Sequence, residues 1–241
     1  MATKAQRVAQ LLLKNRWYED GFWPPLKKGK PASRKDANKF FLACIIDYQT
    51  RANEVWEKTM PRFAEKILGD PNNLWQCITS ISLSAWRKKQ NEYALHRFPK
   101  AHERVWRIGN DIVTHYGGDV RKIWKGQPPD IVLERLNQMR VGEQISRMIV
   151  GALCDTDQIQ GQGDVKVDIH VRRVLGRILR GYEFTPSEAP IVLETTRQMW
   201  PENPWLLDEP LYSLGKGVCF ASNPACSDCY VHRECAFYKA I

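Results

Sequence analysis

Apolar residues recur along most of this 241-residue chain at three- and four-residue intervals, the spacing that turns one face of a helix toward a core. Val8, Leu11, Leu12 and Trp17 predict a first amphipathic helix from Ala2 to about Trp17. The prolines and basic residues of GFWPPLKKGKPASRKDA stop it and open a basic loop. A strongly apolar helix is expected over NKFFLACIIDYQTRAN, breaking into the polar stretch Tyr48–Asn53, and a second from Glu54 to Leu68, stopped by Gly69 and Pro71. NLWQCITSISLSAW reads as one or two helical segments and RKKQNEYALHRFPKA as a polar connection. In AHERVWRIGNDIVTHYGG, Val105, Ile108, Ile112 and Val113 share one face and Gly117 supplies the stop. Asp130 stands as N-cap of IVLERLNQM. Helices dominate throughout, and the expected fold is all-α.

The patterns IVLERLNQM and EQISRMIVGALC are separated only by Arg140, Val141 and Gly142, which makes them a helical hairpin. The N–H groups opening its second helix can bind a phosphate, although the same turn serves as a plain connection in helical bundles. DTDQIQGQGDV is a polar connector. Beyond it, Asp168 precedes an apolar periodic run holding Val171, Val174, Leu175 and Ile178, and is placed to cap that helix. Thr185 or Ser187 opens another helix, and DEPLYSLGKGVC then runs into a cysteine-rich end.

Composition narrows the partners. Apolar residues at 43% and charged residues at 26% are ordinary for a globular protein, so disorder is not indicated. Thirty-six Lys and Arg against 27 Asp and Glu give a net charge of +9, which favours a polyanion, nucleic acid first and an anionic membrane or acidic partner otherwise. No signal-peptide or transmembrane pattern is present, so the expected location is intracellular, cytoplasmic and nucleoid-associated in a prokaryote. That also disfavours a disulfide framework for Cys219, Cys226, Cys229 and Cys235, spaced C-x6-C-x2-C-x5-C. A metal centre is the better reading. Only Cys226 and Cys229 form a zinc-like knuckle, and the asymmetric spacing suits an iron–sulfur cluster, with zinc as the alternative. Cys44, Cys77 and Cys154 lie in apolar stretches and read as buried thiols.

The cysteine spacing, the lead-in SLGKGVC and the segment VKVDIHVRRVLGRIL together resemble the helix-hairpin-helix DNA glycosylases, specifically the endonuclease III-like branch with an iron–sulfur loop. FFLACIIDYQT and RVGEQISRMIVGAL extend the resemblance more weakly toward the N-terminus. It implies a 4Fe-4S cluster on the four cysteines and two helical lobes flanking a DNA-binding cleft. One would be a six-helix, barrel-like lobe over 35–155 with the hairpin, the other a terminal lobe from 1–34 and 156–241 with the cluster loop at 219–235. It also implies a monomer that binds double-stranded DNA, not a membrane, and excises a flipped damaged, mismatched or modified base, with Asp168 as the catalytic carboxylate.

The same resemblance distributes the DNA contacts. Gln49 would fill the gap left by the flipped nucleotide, Arg140, Val141 and Gly142 would form the hairpin turn, and Lys216 with Arg233 would face phosphate. Where bifunctional members carry a Schiff-base lysine this chain has Gln144, which implies a monofunctional enzyme using water and argues against AP-lyase activity. Arg140 replaces a glycine of the family's hairpin, which puts the turn geometry in question. Cys44 stands where the adenine-excising branch has a glutamate, against adenine excision. The alternative is a lesion- or modified-base-binding protein of the same fold without chemistry. Asp47, Tyr48, Trp86 and His96 are candidates for a pocket.

Overall fold

A computed structural model of the chain describes residues 3–16 and 23–241, and among them there is no strand. In order the helices are α1 (Lys4–Lys14), α2 (Arg34–Ile46), α3 (Leu74–Thr79), α4 (Leu83–Lys88), α5 (Gln90–Tyr93) and α6 (Pro99–Tyr116). There follow α7 (Arg121–Trp124), α8 (Pro129–Gln138), α9 (Glu143–Asp155), α10 (Ile169–Arg180), α11 (Ala189–Met199) and α12 (Asp208–Gly217). No helix among the described residues is long and apolar enough to cross a membrane. The chain divides into two compact units, one from Met1–Glu19 with Gln162–Ile241, the other Asp20–Gly161.

In the central unit the second half of α2 is buried on every side, with Phe40 through Ile46 all at 0% exposure, as expected of a helical segment that is apolar all round. It ends at Ile46, just ahead of the polar stretch at which a break was expected; there Asp47 accepts the Trp56 indole N–H (2.9 Å) and Gln49 takes a left-handed backbone, φ 50°. The helix expected from Glu54 is present but wound as π-helix over Glu54–Thr59 and Arg62–Ile67. Pro61 lies between the two segments and brings no N–H to the ladder, so the looser winding on either side accommodates it. The connection after α4 is less polar in three dimensions than in sequence, since it contains α5 and buries Tyr93, Leu95 and His96. Trp86, considered above for a pocket, is fully buried and donates to His102 O (2.8 Å).

One further expectation is corrected. Asp130 is not the N-cap of α8: that position is Pro128, and Pro129 takes the first helical site, where a missing N–H costs nothing. Asp130 sits in the first turn, still well placed for the dipole. The basic loop after residue 22 packs with the central unit, through Gly29 N–H to Thr156 O (3.3 Å) and Ala32 N–H to Gln158 Oε1 (2.8 Å). The compact units meet in sequence at 19/20 and 161/162, beside the expected lobe limits of 34/35 and 155/156. Of the scattered cysteines, Cys44 is buried, whereas Cys77 and Cys154 are partly exposed.

In the terminal unit α1 opens with a reciprocal cap between Thr3 and Gln6, and Ala2 and Trp17, the expected ends of this helix, lie outside the described residues. Val8, Ala9 and Leu12 of α1 share a core with Val165, Val167, Val171, Val174 and Ile178, and with Leu207, Leu211 and Leu214. Thr185 opens the turn into α11, its N–H and hydroxyl both reaching Glu188 Oε2 (2.7 and 2.9 Å). Gly215 lets α12 approach the head of α10: a Cβ there would stand 2.7 Å from His170 Cβ.

Candidate active site and cysteine loop

Asp168 is the N-cap of α10, as its sequence position suggested. Its Oδ1 accepts from the N–H groups of His170 (2.8 Å) and Val171 (3.0 Å), so one oxygen is committed to the helix and the second, Oδ2, takes no part in the cap. The two N–H groups and the helix dipole both place positive potential at Oδ1. Its approach is an extended strip in which Val165 and Val167 are buried, so period-two alternation puts Lys166 on the same side as Asp168. The Lys166 ammonium accordingly lies 3.5 Å from Asp168 Oδ2 and 5.1 Å from the centre of the Tyr212 ring. On α12, Asp208 reaches Lys166 from within, accepting its backbone N–H at 2.5 Å. Burial pushes the Asp208 carboxyl up to about 7.

Helix α10 continues from Asp168 into the cysteine loop. Arg173 donates to Gly215 O (2.7 Å), Cys219 O (2.8 Å) and His170 Nδ1 (3.1 Å). One turn on, Arg177 donates to Phe220 O (2.6 Å), Ala221 O (2.9 Å) and the Cys219 Sγ (3.6 Å). Cys219, Cys226, Cys229 and Cys235 all line one cavity with Val174, Arg177 and Leu214. Among the described residues no three His, Cys, Asp or Glu side chains converge as they would on a single ion. A tetrahedral zinc would need sulfurs about 3.8 Å apart, from Zn–S bonds of about 2.3 Å. Four thiols round one cavity, with a guanidinium beside one of them, are a donor set that either an iron–sulfur cluster or a zinc ion can take. Burial raises the Cys229 thiol to about 11, and the neighbouring cysteines raise it further, so a bound cation is what would make this set of thiolates favourable. Lys216 is exposed in the last turn of α12, its ammonium 5.6 Å from the centre of the Tyr212 ring.

The central unit holds the remaining candidates. After α8 the Val141 N–H bonds Leu136 O (3.1 Å) and the Arg140 N–H bonds Asn137 O (2.9 Å), the double closure of a Schellman turn. Arg140 occupies its left-handed position, φ 57°, and so takes the conformation a glycine would supply. Val141 is buried, Gly142 caps α9 with φ 95° and ψ 135°, and Gln144 follows in the first turn with a buried Oε1 that has no hydrogen-bond partner among the described residues. Gln49 is exposed on its own left-handed residue, its carbonyl held by Arg97, in a concavity shared with Thr50, Arg51 and Glu54. His96 locks the adjoining Tyr48 through its carbonyl (3.0 Å) and stacks on its ring, centroids 5.0 Å apart.

Sequence reasoning missed Lys166, Asp208 and Arg173. The V-K-V-D alternation was a signal for Lys166; for Asp208 there was none, since its partner is 42 residues away.

No protein-family model matches the chain. An endonuclease III of Thermotoga maritima is 26% identical over 216 residues, 87% of this chain and 88% of that protein. An adenine DNA glycosylase of Mus musculus is 24% identical over 210 residues, 83% of this chain but 33% of that longer protein. Among solved structures, a thermostable thymine-DNA glycosylase superposes with a TM-score of 0.68 at 17% identity, covering 99% of this chain and 98% of its own. A trapped endonuclease III–DNA covalent intermediate gives 0.64 at 18% identity, covering 100% and 99%. In sequence the chain is thus similar to an endonuclease III and to an adenine DNA glycosylase. Its fold is that of the endonuclease III and thymine-DNA glycosylase structures.

Proposed function

We propose that this protein is a monofunctional base-excision-repair DNA N-glycosylase that acts on a flipped damaged, mismatched or modified base in duplex DNA. The observation that carries the reading is Asp168, whose Oδ1 is consumed by the head of α10 while Oδ2, outside the cap, meets the Lys166 ammonium at 3.5 Å. As the base departs with the electrons of the N-glycosidic bond, positive charge develops on the sugar, and the carboxylate stabilises it. Water then adds to C1′ and gives up its proton, for which Asp168 is the acceptor at hand. Gln144 presents an amide where bifunctional members have an amine, and an amide forms no imine with the sugar.

The hairpin turn with Arg140, the α9 N-terminus, the Gln49 loop and Lys216 are the proposed DNA contacts, the enzyme acting as a monomer. A 4Fe-4S cluster on Cys219, Cys226, Cys229 and Cys235 would hold the shape of the loop; Arg173 and Arg177 already fix its entry to α10. A charge interaction at about 4 Å in a medium of effective dielectric about 20 is worth roughly 4 kcal/mol. Asp168→Asn, which keeps the cap, is therefore expected to slow excision roughly a thousandfold on a panel of lesion, mismatch and modified-base duplexes. Unchanged activity in that variant would sink the mechanism, and borohydride trapping of the wild type on its substrate would sink the monofunctional reading. No excision on any duplex, with tight binding retained, would favour a base-binding protein without chemistry.

A further inference from the structure

Asp168 does not stand alone in the terminal unit but ends a chain of alternating charges. Lys166 touches it twice: its carbonyl accepts the Asp168 N–H at 2.8 Å, and its ammonium lies 3.5 Å from Oδ2. Lys166 is in turn held by Asp208, buried in the core at 7% exposure. An ammonium beside Oδ2 is a poor companion for a residue that must stabilise a cationic sugar, because it neutralises the carboxylate and repels the sugar. A second carboxylate behind it removes that objection.

We propose that Asp208 is a positioning residue for the glycosylase reaction, fixing Lys166 by its backbone and balancing the Lys166 ammonium, so that Asp168 keeps an uncompensated negative charge. The inference rests on Asp168 being the catalytic carboxylate. With Asp208 ionised, the three side chains carry one net negative charge; with Asp208 neutral they carry none. The charged groups acting on Asp208 are Lys166, which favours its ionisation, and Asp168 and Glu209, which oppose it. On α10, the Arg173 guanidinium is turned to Gly215 O and Cys219 O, with His170 packed against Tyr212.

The test is single-turnover excision by the full-length protein from pH 5.5 to 8.5, with Asp168→Asn, Asp208→Asn, Lys166→Met and the double variant Asp208→Asn/Lys166→Met. Asparagine at 208 can still accept the Lys166 N–H, and circular dichroism checks that each variant folds. Asp208→Asn is expected to lower the rate roughly tenfold or more at saturating DNA with little change in KM. The wild-type rate should fall as the pH drops through about 7, and this limb should vanish in Asp208→Asn. Removing the unbalanced ammonium in the double variant should restore most of the lost rate, which a purely structural defect would not permit. A wild-type rate and pH profile in Asp208→Asn, or a double variant no faster than Asp208→Asn, overturns the positioning role. Should Asp208→Asn not fold, Lys166→Met decides: loss of rate comparable to Asp168→Asn overturns the proposal, and a retained rate without the neutral limb supports it. A wild type that excises nothing, or an Asp168→Asn variant as fast as wild type, overturns instead the catalytic reading on which the inference rests.

Discussion

The hairpin turn carries two residues of positive φ, Arg140 at φ 57° and Gly142 at φ 95°. An L-residue in the left-handed region costs about 1–2 kcal/mol. Replacing Arg140 by glycine removes that cost but adds about 0.4–1 kcal/mol of unfolded-chain entropy. The net expectation for Arg140→Gly is a gain of about 1 kcal/mol, or roughly 2–4 °C in melting temperature for a chain of this length. Gly142→Ala should do the opposite. A Cβ at Gly142 meets nothing within 4 Å, so the penalty is purely conformational, about 1–3 kcal/mol. Function should move against stability. If the Arg140 guanidinium neutralises a phosphate, Arg140→Gly weakens DNA binding and reduces the slope of log K against log salt by about one. Arg140→Asn separates the effects, since asparagine tolerates the left-handed backbone but carries no charge. Urea midpoints and fluorescence anisotropy titrations at several salt concentrations read both quantities. Destabilisation by Arg140→Gly, or an unchanged salt slope, would refute the reasoning.

At the N-cap of α10, Asp168→Ala should cost about 1 kcal/mol in urea unfolding beyond Asp168→Asn, because alanine cannot accept the His170 and Val171 N–H groups. Gly215→Ala should slow excision as well as destabilise, since its Cβ would press on His170 Cβ at 2.7 Å and displace the helix that bears Asp168; a variant with wild-type rate contradicts that coupling. Because the Asp208 carboxyl is raised to about 7, well above its unfolded value of 3.8, the folded state binds the extra proton and this group lowers stability as pH rises toward 7. Between pH 5.5 and 7 the loss is about 2 kcal/mol, and unfolding curves of Asp208→Asn should lack it. The purified protein should be brown with a thiolate-to-iron band near 400 nm (approximate position for such clusters), and Cys226→Ser should diminish it; a colourless, zinc-bearing protein contradicts the cluster.

The helices were legible where apolar residues recur at three- and four-residue spacing, as in α6, where Val105, Ile108 and Ile112 are buried, and in α10, where Val171, Val174, Leu175 and Ile178 are. Details at helix ends were missed where side chains outside the local pattern decide them. Nothing near Ile46 announces that Asp47 will turn to the Trp56 indole, and Pro129 displaces Asp130 from the cap by the geometry of its ring. At the candidate site, Asp168 was readable because a cap is a local device, and Lys166 follows from strand-like alternation over three residues. Asp208 and the grip of Arg173 on Cys219 O join segments more than forty residues apart, and such pairings exist only after the chain has closed. The substitution at 140 looked disruptive in sequence; in the fold the backbone pays a modest strain and keeps both turn hydrogen bonds.

Helix α1 belongs to the unit completed by Gln162–Ile241, with the Lys4 ammonium on Ile178 O (3.1 Å) and Arg7 on Glu234 (3.2 Å). During synthesis the segment Asp20–Gly161 is whole before any of its partners in the second half of the chain emerge, and domains generally fold as they are made. The first helix must then wait on the ribosome, its apolar face unsatisfied, until α10 and the cysteine loop appear. A cluster on the four cysteines, as proposed, would be inserted at that closing step, and a shortage of iron or sulfide would then strand molecules whose Asp20–Gly161 half is already folded.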